Sequence, residues 1–94
     1  MWGEHFMPTV IAYHEIDDKD HWLASVNREK FFGPLGVTGI REFVDPENPE
    51  RVAVLMEIPD MDSVMAALQT EEAATAMSED GVRRDTLVML VAAT

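Results

Sequence analysis

Residues 9 to 22 read TVIAYHEIDDKDHW. The first eight are rich in β-branched and aromatic side chains and predict a strand over Thr9–Ile16. One face of that strand carries Val10, Ala12, His14 and Ile16, the other Ile11, Tyr13 and Glu15. Both faces are largely apolar, so the strand is expected to be central and covered on both sides. The run DDKD then breaks the alternation. Asp17 or Asp18 can accept from the free N–H groups of a helix start, and the other acids suit the positive end of the helix dipole. The expected helix runs to about Phe32, with Trp22, Leu23 and Val26 on its inner face and Gly33-Pro34 as its stop.

Downstream, Val37 to Asp45 reads as a second strand and Arg51 to Ile58 as a third, in which Val52, Val54, Met56 and Ile58 share a face. The segment PENPE between them predicts a hairpin with a loop of several residues. Asp60 or Asp62 caps a second helix that buries Val64, Met65 and Leu68; Gln69-Thr70 interrupts it, Thr70 caps a further piece through Met77, and Gly81 ends that piece. Thr86 to Ala93, TLVMLVAA, is a last strand, apolar on both faces.

The order βαββαβ contains two split βαβ units. It predicts an α+β, ferredoxin-like sandwich: one four-stranded antiparallel sheet with two helices on one face. Residues 9–94 form the single domain and residues 1–8 an N-terminal extension, with Met7 as an alternative start. In such a sheet the last strand is an edge. An uncharged edge strand and an apolar open face both need cover, and a second copy of the chain supplies it most simply. A homodimer is therefore expected.

Composition narrows the function classes. The 94 residues carry 18 acids against 7 bases, a net charge of −11, which repels nucleic acid and anionic membranes alike. Apolar residues make up 47% of the chain, which argues against disorder. No run approaches the roughly 20 apolar residues of a membrane span, and the N-terminus lacks the pattern of a secretory signal. With no cysteine present, disulfides and thiolate metal sites are excluded. The expected location is the cytoplasm, with no membrane or nucleic-acid partner.

The segments HEIDDKDHW at 14–22, GVTGIR at 36–41, DPENPERV at 45–52 and MSEDGV at 77–82 resemble the dimeric α+β-barrel superfamily, over nearly the whole of residues 9–93. They look most like small bacterial members related to antibiotic-biosynthesis monooxygenases. The wider superfamily also includes haem-degrading monooxygenases, polyketide cyclases and muconolactone isomerases. The resemblance implies two ferredoxin-like subunits packed sheet to sheet. Haem-degrading members use an asparagine on the first strand and a histidine on the second helix; this chain has neither, so haem is not expected. The quinone-forming members rely on asparagine and tryptophan in their pocket. Trp22 lies at the first helix start instead, and that role is not carried over to it.

His14 and His21 are seven residues apart, and Glu15 or an aspartate could join them, yet no spacing matches a metal motif and capping accounts for the aspartates. No metal is expected. His14, on an apolar strand face, is the candidate acid or base, with a satisfied core histidine as the simpler reading. His21 is expected to be exposed. Tyr13 and Trp22 are candidates for positioning a ligand, and Arg41 for offsetting developing negative charge. Arg41 and Glu57 also suit cross-strand pairing, with each other or across a dimer. Arg83-Arg84 reads as a solvated turn. The seven methionines give adaptable packing, in a core or around an apolar ligand.

Three functional readings follow. The leading one is a small-molecule enzyme of the monooxygenase or cyclase kind, acting on an apolar or aromatic substrate with no cofactor. The alternative is a non-catalytic ligand-binding or stress-related homodimer, and a protein-interaction module is a third reading.

Overall fold

The strand read from Thr9–Ile16 (β1) lies at the centre of the sheet, between β3 (Asn48–Glu57) and β4 (Val82–Val91). β2 (Thr38–Asp45) pairs on the far side of β3, giving the order β2-β3-β1-β4 with every pair antiparallel. This computed structural model describes residues 8–93. Most of the expected extension 1–8, Met7 included, lies outside the described residues. Pro8 is buried, and its carbonyl accepts from the Ile58 N–H at 3.0 Å.

The fold is the expected ferredoxin-like α+β arrangement, but each helix is broken in two. Asp18 caps α1 (Lys19–Ala24), its carboxylate accepting from Asp20 N and His21 N. At Ser25 the backbone turns extended, and α2 (Asn27–Phe32) starts afresh, with Ser25 Oγ accepting from Asn27 N at 3.0 Å. A hydroxyl that offers the backbone an alternative partner is a known way to end a helical run. The break corrects the expected single helix to Phe32 and its inner face. Trp22 is fully buried, but Leu23 is 44% and Val26 58% exposed. The α-helix does end at Phe32, as expected, with Gly33 as its C-cap. The chain then makes a 3-10 turn (Gly33–Leu35) before it reverses at Gly36, whose φ of 81° is open to glycine at little cost.

The second break falls where the sequence places it. α3 (Met61–Ala67) is capped by Asp60 and buries Val64, while Met65 lies outward. Thr70 caps α4 (Glu71–Glu79) by accepting from Ala73 N. The hairpin is tighter than expected: Asp45 pairs with Asn48, so only Pro46 and Glu47 form the turn. Pro49 lies inside β3 but beyond its last pair with β1, Glu15↔Arg51, where a missing donor costs nothing.

β4 begins at Val82, so Arg83 and Arg84 are strand residues, not a solvated turn. Arg83 contacts the carboxylates of Asp17 at 2.9 Å and of Glu15 and Glu50 at 3.2 Å. Opposite Tyr13–Glu15 the β1–β4 register shifts. There Thr86 Oγ accepts from Glu15 N at 2.8 Å and donates to the Arg83 carbonyl at 2.6 Å, replacing the lost ladder bond.

The core lies between sheet and helices: Val10, Ala12 and Ile16 of β1, Val52, Val54 and Met56 of β3, and Val64. Among the described residues none covers the opposite sheet face, so cover on both sides of β1 is not supplied by them. Tyr13, Phe43, Val88 and Leu90 are exposed there. Gly81 turns α4 into β4 with a φ of 73°, its carbonyl accepting from Asp17 N at 3.0 Å. A Gly81→Ala variant is expected to lose about 1–2 kcal/mol in urea melts, the cost of placing a side chain in the left-handed region.

Candidate functional site

Alternation along β1 decides which residues can meet. Val10, Ala12, His14 and Ile16 face the helices; Tyr13 faces the other way. Between the helices and the sheet lies a cavity of about 90 Å³, open on one side. Its wall is mostly apolar, with Phe31, Phe32, Met56, Met77 and Met89 contributing the larger side chains. Four polar residues reach it: His14, Asn27, Arg28 and Asp80.

His14 is only 6% exposed. Its Nδ1 lies 3.3 Å from the Glu15 carbonyl oxygen. A carbonyl only accepts, so Nδ1 carries the proton and Nε2 is left as an acceptor. Nε2 has no hydrogen-bond partner among the described residues, and it is not among the atoms sealed from every approach. The ring meets the edge of Trp22 at 5.8 Å between centroids. Burial lowers the imidazole pKa below its ordinary value; the bond to Glu15 opposes this, and the Arg28 charge adds to it. His14 is therefore a neutral base at neutral pH.

Arg28 is 8% exposed and holds the polar end of the cavity together. Its guanidinium stacks over the Trp22 ring at 4.2 Å, donates from Nη2 to the Trp22 carbonyl at 2.7 Å and from Nε to Glu42 at 3.1 Å. Nη1 is 3.6 Å from Asp80 Oδ2, too long for a hydrogen bond, and is closed off from the cavity. Asn27 Nδ2 donates to Asp80 Oδ1 at 2.9 Å. The donors of Asn27 and Arg28 are thus spent or sealed, which leaves only acceptors facing the cavity, His14 Nε2 among them.

Of the four residues singled out in the sequence, only His14 lines the cavity. Trp22 lies behind it, packed on both His14 and Arg28. Tyr13 and Arg41 are on the opposite sheet face and are not brought to the cavity: Arg41 is in register with Leu55, and its guanidinium lies 5.2 Å from the Phe43 ring. The expected Arg41–Glu57 pair does not form, and Glu57 accepts from Thr9 Oγ1 at 3.0 Å. His21 is exposed as expected, yet Nε2 bonds the Glu79 carbonyl at 2.6 Å and ties α1 to the end of α4. Among the described residues no group of three histidines or carboxylates is placed to hold a metal.

Asn27, Arg28 and Asp80 were missed by the sequence reading. In an unbroken helix six residues rotate by about 600°, which turns position 28 away from the side of Trp22. The break at Ser25 brings it back. The available signal was the Ser25-Val26 pair itself, a hydroxyl and a β-branched residue together in mid-helix.

Two measurements check this geometry. Arg28→Ala strands two carboxylates and is expected to cost about 3–5 kcal/mol in denaturant melts, whereas Arg83→Ala, on a solvated network, costs far less. The second is pH dependence. Because the folded pKa of His14 is lowered, the unfolded chain takes up the proton first. Stability is constant above the unfolded value of 6.5, falls as pH drops below it, and levels off below the folded value. His14→Gln is expected to remove that portion of the slope.

No protein-family model matches the chain, and no curated protein does. Solved structures do. A proposed antibiotic biosynthesis monooxygenase from Bordetella bronchiseptica superposes with a TM-score of 0.72 at 16% identity, over 94% of this chain and 96% of that one. Its counterpart from Bacteroides thetaiotaomicron gives 0.65 at 18% identity, over 98% and 92% of the two chains. One from Nitrosomonas europaea gives 0.65 at 13% identity, over 94% and 98%. At these identities the likeness is one of fold, and the chain shares the ferredoxin-like fold of proteins named as antibiotic biosynthesis monooxygenases.

Proposed function

We propose that this protein is a small-molecule enzyme of the monooxygenase or cyclase kind, which holds an apolar or aromatic substrate in the cavity and uses His14 as its base. One observation carries the reading: a buried, neutral imidazole with an unpartnered Nε2 at an otherwise apolar cavity. A histidine kept only for packing has its polar atoms satisfied. The names of the structural neighbours support the same chemistry.

In the monooxygenase form His14 Nε2 takes the proton of a bound hydroxyl. The resulting electron-rich anion reduces dioxygen directly; the substrate loses two hydrogens, one oxygen atom enters the product and the other leaves as water. No cofactor is needed for that balance, because the substrate supplies the electrons. Trp22 and Arg28 hold the imidazole's surroundings fixed, while Tyr13 and Arg41, on the open sheet face, take no part in the reaction.

The same reading includes a homodimer. Tyr13, Phe43, Val88 and Leu90 form an exposed apolar face beside the edge strand β4, and a second copy packed on it sheet to sheet removes both from water. We place the enzyme in the cytoplasm; no helix among the described residues is long and apolar enough to cross a membrane. The net charge of −11 gives no attraction to nucleic acid. The alternative of a non-catalytic ligand-binding dimer is favoured by a different observation: the donors of Asn27 and Arg28 are spent or sealed, so no N–H is free to stabilise negative charge that develops on a bound substrate.

Oxygen uptake by the purified protein with a panel of monophenols and hydroquinones, with nothing else added, distinguishes these readings. The expected result is uptake that falls at least about 100-fold in His14→Ala. Ligand binding without turnover by any member supports the non-catalytic form. Light scattering is expected to give twice the chain mass at micromolar concentration, and a Val88→Lys/Leu90→Lys variant is expected to give the monomer mass.

A further inference from the structure

The polar end of the cavity specifies more than the presence of a ligand. Three features set the class it accepts, given that the cavity is a ligand site as proposed above. The first is size. A cavity of about 150 Å³ encloses benzene; this one, at about 90 Å³ and open on one side, seats a single ring with one edge at the mouth and does not enclose a fused ring system.

The second is hydrogen-bond polarity. Asn27 Nδ2 is spent on Asp80, Arg28 Nε and Nη2 are spent on Glu42 and the Trp22 carbonyl, and Arg28 Nη1 is sealed off. What remains are acceptors: His14 Nε2, because Nδ1 donates to Glu15, together with Asp80 Oδ2 and Asn27 Oδ1, neither of which receives a hydrogen bond among the described residues. A ligand group placed there must donate.

The third is charge. The cationic Arg28 is already opposed by two carboxylates, Asp80 at 3.6 Å and Glu42 at 3.1 Å. Of the two, only Asp80 lines the cavity, so the charged group a ligand meets beside Arg28 is a carboxylate, within a chain that is itself acidic. A carboxylate ligand brings only acceptors against the His14 lone pair and the Asp80 carboxylate, and no Arg28 N–H is free to donate to it.

We propose that the cavity selects a neutral single-ring molecule carrying one hydrogen-bond donor, seated with that donor on His14 Nε2, and rejects the corresponding carboxylate. The residues that impose the charge rule, Arg28, Asp80 and Glu42, determine specificity without touching the reacting group.

Three probes of nearly equal shape test this at pH 7.5: 4-methylphenol, toluene and 4-methylbenzoate. Binding is read from the methyl signals of Met77 and Met89, which line the cavity, in ¹H–¹³C spectra of the full chain. The expected order is 4-methylphenol first, at least tenfold tighter than 4-methylbenzoate and several-fold tighter than toluene. His14→Leu is expected to abolish the preference for 4-methylphenol over toluene while toluene still binds. His14→Gln, which retains an acceptor, keeps part of that preference and covers the case in which His14→Leu does not fold. Equal or tighter binding of 4-methylbenzoate by the wild-type protein overturns the charge rule, and a phenol preference that survives in His14→Leu overturns the role of Nε2. Either result leaves the cavity a ligand site. Methyl signals unmoved by all three probes overturn the ligand site itself, and the specificity falls with it.

Discussion

The buried guanidinium of Arg28 is the interaction on which the rest of the site depends. It reaches the α1 backbone through the Trp22 carbonyl, the sheet through Glu42 of β2, and the end of α4 through Asp80. A charge taken out of water is tolerated only where partners replace its hydration, and here two carboxylates, a carbonyl and an aromatic face do so. The same contacts hold the indole of Trp22 beside His14. Because the Arg28 donors are spent or sealed from the cavity, none is offered to a ligand, and the imidazole keeps an unpartnered acceptor there.

This arrangement explains why the imidazole remains neutral. Burial removes the water that would stabilise its protonated form, and the nearby cation discourages a second positive charge. A base that is unprotonated at neutral pH needs no activation before it accepts a proton, and an apolar wall keeps that lone pair from competing water.

Acidity and the open face act at different levels. The carboxylates at α-helix starts, Asp18 and Asp60, are consumed as caps, and those of Glu15, Asp17 and Glu50 converge on Arg83. Asp17 and Glu15, in that order of effect, hold Arg83 even more firmly protonated than usual. That network pins the bulged β1–β4 pair at the sheet end nearest the cavity. The exposed apolar residues, by contrast, collect on the helix-free face, where they bear on association and not on ligand chemistry.

Period and punctuation in the sequence determined the order of elements, the central place of β1, the edge position of β4 and the cap at Thr70, and narrowed the other two caps to Asp17 or Asp18 and Asp60 or Asp62, which the structure resolves to Asp18 and Asp60. Strict alternation likewise settled that His14 lies on the face of Val10 and Ala12 and Tyr13 on the other, because side chains of a strand alternate whatever packs on them. Other features were decided only by the tertiary structure. Whether the His14 face was packed solid or hollow depended on how far the helices stand from the sheet. The inward turn of Arg28 depended on a helix break that propensity alone does not enforce, and its partners Glu42 and Asp80 lie 14 and 52 positions further along the chain. A local pattern states which way a side chain points relative to its own element. Only the packed elements, brought together against the loss of chain entropy, state what it meets there.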